Sequence, residues 1–138
     1  MEVFKKDLLE ANKEIIISSP AISGKKVDEM MRLLKEKQEA GLRIVIVTWK
    51  TDMYGFGDSE YWMELQERMR RTGFEMNLVE YYCQHYCIVD QEIVWYGSMN
   101  FLGKEDNEDN LMRVCSKTIA TELLEMTFGE PKHYGEQM

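Results

Sequence analysis

The residues able to do chemistry crowd into one stretch, YYCQHYCIVDQEIVWYGSMN, residues 81–100. Cys83, His85 and Cys87 occupy alternate positions within five residues, in a chain holding only three cysteines and two histidines. Alternate side chains of an extended strand share a face, so these three are expected side by side. Two thiolates and an imidazole suit a soft metal such as zinc. Ligands two residues apart on one strand, however, stand about 7 Å apart at each step. One ion cannot reach all three without a bend, and a tetrahedron needs a fourth ligand such as Cys115. Buried thiols beside one polar group are the commoner state of such residues. No metal and no other cofactor is expected.

Composition bounds what can hold this stretch. A chain of 138 residues and 16.3 kDa is one domain by default. Its net charge of −8 excludes a generic binder of phosphate backbones, though not a local basic groove. No apolar run is long enough to span a bilayer. The N-terminus, MEVFKKDLLEANKE, carries charges where a signal peptide needs an apolar core. An odd cysteine count with two thiols four residues apart reads as reduced, so the expected location is cytoplasmic. The tail MTFGEPKHYGEQM has no clear stop, and the chain reads as a piece of a longer protein.

The periodicities predict the elements. Residues 2–12 form an amphipathic helix, and EIIISSP is a buried strand ending at Ser-Pro. KKVDEMMRLLKEKQEAG is a helix stopped by Gly41, and LRIVIVTW is a second buried strand. After the loop KTDMYGFG, Asp58 caps the helix SEYWMELQERMRRT, which Gly73 closes. FEMNLVEY, HYCIVD, EIVWYGS and NLMRVCS are closely spaced strands, with a tight turn at Asp90-Gln91-Glu92. Ser116 caps a last helix, KTIATELLEM. Strands separated by helices pair in parallel and adjacent ones pair antiparallel. The fold class is therefore α/β, a mixed, mostly parallel sheet with helices on both faces.

The layout IVDQEIVWYGSMNFLGKEDNEDNLMRV, strand, acidic turn, strand, Gly-Ser-x-Asn, acidic loop, strand, resembles the phospholipase D-like superfamily. That superfamily's signature is His-x-Lys-x-x-x-x-Asp followed by a strand and Gly-Ser-x-Asn. The resemblance covers nearly the whole chain and makes residues 1–138 a single phospholipase D-like half. It is nearest to the domain appended to some bacterial superfamily II helicases. Anchoring on Asp90 places Cys83 at the histidine position and His85 at the lysine position. Anchoring on His85 instead would break the family's spacing to Gly-Ser.

The resemblance implies a phosphodiester chemistry in which two motifs meet across a dimer. One histidine attacks phosphorus, the other protonates the leaving group, the aspartate orients its histidine, and polar groups hold the non-bridging oxygens. It implies site positions at Cys83, His85, Asp90, Ser98, Asn100 and Asp109. A thiolate can attack phosphorus if a protonated imidazole lowers its pKa, but Cys replaces His poorly as an acid. His85 also lacks a lysine's permanent charge.

The expected function is thus an accessory domain of a helicase- or nuclease-related protein, catalytically impaired. Its expected partners are a phosphodiester or nucleic acid, the host's other domains, and a second copy of itself, with no membrane. An active metal-independent phosphodiesterase working as a dimer and a zinc-stabilised module on Cys83, His85 and Cys87 are the rival readings. Trp49, Trp62 and Trp95 are expected in packing roles. Ser18-Ser19-Pro20, at a strand's carboxyl end, is expected to line the cleft. Lys50 and Lys104 are placed near the cleft as sources of charge. Glu105, Asp106, Glu108 and Asp109 read equally as a solvated loop, and His133 as an exposed tail residue.

Overall fold

The computed structural model describes residues 2–54, 59–103 and 109–129. In chain order it has α1 (Glu2–Leu9), β1 (Glu14–Ser18), α2 (Gly24–Glu39), β2 (Arg43–Trp49), a 3-10 turn (Thr51–Tyr54) and α3 (Ser59–Arg71). There follow β3 (Glu75–Val79), β4 (Tyr86–Val89), β5 (Ile93–Gly97), β6 (Leu111–Cys115) and α4 (Lys117–Phe128). Asp58, Lys104, Glu105, Asp106, Glu108 and His133 lie outside the described residues.

The six strands form one sheet in the order β3-β2-β1-β4-β5-β6. β1 pairs with β2, and β2 with β3, in parallel, because a helix crosses over between each pair. The ladders β1–β4, β4–β5 and β5–β6 are antiparallel. Four strands, β1, β2, β3 and β5, therefore run one way, and the sheet is mixed as expected. The β4–β5 connection is a tight three-residue turn, Asp90-Gln91-Glu92, between the paired Val89 and Ile93. Asp90 and Gln91 both take positive φ, 54° and 56°, and the Glu92 amide donates to the Val89 carbonyl at 3.1 Å. Two successive left-handed residues define the type I′ turn that matches strand twist, and Asp tolerates that conformation.

Alternation along the strands sorts the core into two clusters. Ile15, Ile17, Ile44, Ile46, Cys87, Val89 and Trp95 face α1, α2 and α3, whose Leu8, Leu34 and Met69 are fully buried against them. Ile16, Val45, Val47, Tyr86, Ile88 and Val94 face α4 through Ala120 and Leu123. Helices thus cover both faces. Ser23 caps α2 by accepting from the Lys26 amide, and Ser116 caps α4 from the Ile119 amide at 3.1 Å.

A polar clasp fixes α1. The buried Asp7 carboxylate accepts from Trp95 Nε1 at 2.7 Å and from Arg113 Nε and a terminal Arg113 nitrogen at 2.7 and 3.0 Å. The Arg113 hydrogen bond outweighs burial and holds the Asp7 carboxyl below its ordinary range. Nothing in the local sequence around Asp7 signals this partnership.

Candidate functional site

The carboxyl end of β1 is where the chain changes from a parallel to an antiparallel neighbour, and open α/β sheets place ligands at such ends. Ser18 and Ser19 are fully buried there. Ser19 Oγ donates to the Ala21 carbonyl at 2.7 Å and accepts from the Leu102 amide at 3.1 Å. Ser18 Oγ donates to the Gln84 carbonyl at 2.5 Å and lies 3.6 Å from Cys83 Sγ. These two hydroxyls tie β1 to the segments that carry the candidate residues; fully buried, they act as fasteners.

His85 sits against the Gly97–Asn100 segment. Its Nδ1 is 3.1 Å from the Met99 carbonyl, and its own carbonyl accepts from the Gly97 amide at 3.3 Å. A carbonyl only accepts, so Nδ1 carries the proton and Nε2 is left for a ligand or solvent. Ser98 Oγ donates to Asp109 Oδ1 at 3.2 Å and accepts from the Asn110 amide at 2.9 Å. Asn100 Oδ1 accepts from the Ala21 amide at 3.2 Å. Ser98 and Asn100 thus lie on the segment 97–100, His85 bonds to its backbone, and Asp109 joins it through Ser98. Gly97 is required inside it by close approach. A Cβ there would stand 1.9 Å from the Asn110 carbonyl oxygen.

Cys83 is placed differently. β4 begins only at Tyr86, so strand alternation does not extend back to residue 83. Cys83 packs with the α4-side cluster, whereas Cys87 is fully buried in the opposite one. The expected shared face of Cys83, His85 and Cys87 is thereby corrected, and the zinc set has no common centre. Cys115 is exposed at the end of β6. Among the described residues no group of three or more His, Cys, Asp or Glu side chains could hold a metal ion.

The Cys83 thiol borders a cavity of about 110 Å³ with Ser18, Val79, Tyr82 and Met126. Its neighbours are hydrogen-bond acceptors, the Val47 and Gln84 carbonyls, each at 3.9 Å, beside the Ser18 hydroxyl. Burial pushes the thiol up, and the Ser18 hydrogen bond only partly offsets it. Cys87 is pushed up further by complete burial and by the Asp7 charge.

Asp90 is also corrected in role. It sits at the far end of β4, not beside the imidazole, and accepts from the amides of Asn12, Lys13 and Glu14 at 2.9, 2.7 and 3.0 Å. Partial burial raises its pKa, but these three amides outweigh that and leave it lowered. Asp90 is an anchor for the start of β1. Lys50 pairs with Glu80 at 2.9 Å, which raises its pKa, so its charge is already engaged. Trp95 is core; Trp49 donates to the Tyr81 carbonyl, and Trp62 packs on Tyr61.

The family profile described as cardiolipin synthase, PLD-like domain matches residues 4–128. The chain belongs to this PLD-like family. Solved structures carry the same fold. NucT from Helicobacter pylori aligns with a TM-score of 0.67 at 14% identity, over 91% of this chain and 83% of NucT. Phosphatidylserine synthase from Haemophilus influenzae Rd KW20 aligns at 0.61 and 12%, over 92% of this chain. TrmBL2, an archaeal chromatin protein described as showing a novel mode of DNA binding, aligns at 0.59 and 14%, over 99% of this chain. The chain spans 48% of the length of TrmBL2 and 34% of the synthase. No curated protein matches the chain. As in its family, the fold is a mixed α/β sheet, and among the described residues no helix is long and apolar enough to cross a membrane.

Proposed function

We propose that this PLD-like domain is a catalytically impaired accessory domain of a helicase- or nuclease-related protein, keeping a phosphate-binding role. The observation that carries the reading is the state of Cys83. By motif spacing it occupies the position of the family's attacking histidine. Its thiol is half-buried among acceptors, with its pKa raised, so it is held neutral. A neutral thiol is a poor nucleophile and a poor acid at neutral pH. With its Oδ1 on the Ala21 amide, Asn100 keeps its Nδ2 group as a donor for a phosphate oxygen, and the fold neighbour described as binding DNA makes phosphodiester the preferred ligand class.

A second reading rests on the His85 ring. With Nδ1–H held by the Met99 carbonyl, the neutral ring presents the Nε2 lone pair for attack on phosphorus, with a second copy protonating the leaving oxygen. Turnover of bis-(p-nitrophenyl) phosphate separates the two. The impaired reading expects no hydrolysis by the native chain. It expects a labelled single-stranded oligonucleotide to bind at low salt and to be weakened severalfold by His85→Ala and Asn100→Ala. Hydrolysis lost in His85→Ala but kept in Trp62→Ala would establish the second reading. Absence of both turnover and binding would remove the phosphate role altogether.

A further inference from the structure

Away from the candidate site, a groove of about 400 Å³ opens between α1 and α2. That volume lies in the small-molecule range. Its floor is apolar and soft: Phe4, Met30, Leu33, Met99 and Phe101. Phe4 and Phe101 lie 5.3 Å apart in a tilted arrangement, and all but Leu33 are buried. Its rim is cationic, with Lys5, Lys26 and Arg32. Among the residues that line the groove Glu29 is the acidic one, 3.8 Å from Lys26, and the proposed contacts use Lys5 and Arg32. This concentration of positive charge stands out in a chain of net charge −8. A second groove of similar volume, between α2 and α3, mixes Asp28 and Glu39 with its cations and offers no such polarity.

We infer that the α1–α2 groove binds an unbranched fatty-acid anion, its alkyl chain on the Phe-Met floor and its carboxylate at Lys5 and Arg32. Unbranched methylenes suit a floor of flexible thioethers and aromatic faces. The rim selects a negative head by charge and rejects the equivalent cation. The occupant would touch Met99, whose carbonyl holds His85, and so reaches the back of the segment that carries the candidate site. This inference stands independently of the phosphate reading.

The methionines provide the readout. With ¹³C-methyl-methionine labelling, Met30 and Met99 report on this groove, Met31 on the α2–α3 groove and Met126 on the cavity beside Cys83. Decanoate, kept below its micelle threshold, should move the Met30 and Met99 methyls saturably and leave Met31 and Met126 in place. Acetate and decyltrimethylammonium should move neither, and Lys5→Glu combined with Arg32→Glu should weaken decanoate at least tenfold. An absent or unsaturable shift overturns the inference, as does an equal response to decyltrimethylammonium on the unaltered chain. Shifts of the same methyls with protein concentration alone would assign the groove to a second copy and likewise overturn it.

Discussion

At the scale of single residues, burial and hydrogen bonding decide what each candidate side chain does. The three thiols should react with Ellman's reagent in the order Cys115, Cys83, Cys87. Cys115 is exposed, while burial pushes both others up. Loss of the fast phase in Cys115→Ser, with the slow phases unchanged, is the expected outcome. A fast-reacting Cys83 would revive thiolate chemistry. Asp90→Ala removes an acceptor from three backbone amides and should cost about 1–3 kcal/mol by urea denaturation. The motif spacing identified Asp90 as a special position. It did not reveal its role, because an amide clamp depends on a chain segment more than seventy residues earlier. Cys83 was misread for a local reason. The alternation argument assumed extended chain through residues 82–85, and the strand starts later.

At the scale of elements, hydrophobic runs made β1 and β2 legible, and the caps at Gly41, Gly73 and Ser116 marked helix boundaries. The Asp90-Gln91-Glu92 turn was legible too, since the two strands around it leave no room for a longer loop. What stayed hidden was how elements are fastened. Gly97 reads as an ordinary turn glycine, yet its lack of a side chain is what lets β5 and the Asn110 carbonyl meet. Gly97→Ala should cost about 1–3 kcal/mol through overpacking and should broaden the amide resonances of Ser98 and Asn110. The Asp7–Arg113–Trp95 clasp joins α1 to β5 and β6. Since Arg113 is partly exposed, solvent screens the pair, and Asp7→Asn should cost about 1–3 kcal/mol. A double-mutant cycle with Arg113→Met should return a favourable coupling between the two side chains.

At the scale of the whole molecule, the two anchoring carboxylates make stability depend on acid. Asp7 and Asp90 both have folded pKa values lowered from the ordinary value. Such groups contribute stability that is fully present above the unfolded value near 3.9 and is lost as pH falls through the lowered folded values. The urea midpoint should therefore hold between pH 7 and 5 and drop below about pH 4. Asp7→Asn and Asp90→Asn should each flatten that drop. An undiminished drop in both would detach the acid response from these carboxylates.

The Asp7 clasp also fixes an order of events. Arg113 follows Asp7 by 106 positions. On a translating ribosome, α1 emerges before β6 and waits for its fastening until β6 has left the exit tunnel. A helix made well before β6 is then secured only after β6 is available. Protease probing of stalled nascent chains should find α1 cleavable until Arg113 has cleared the ribosome, and resistant afterwards.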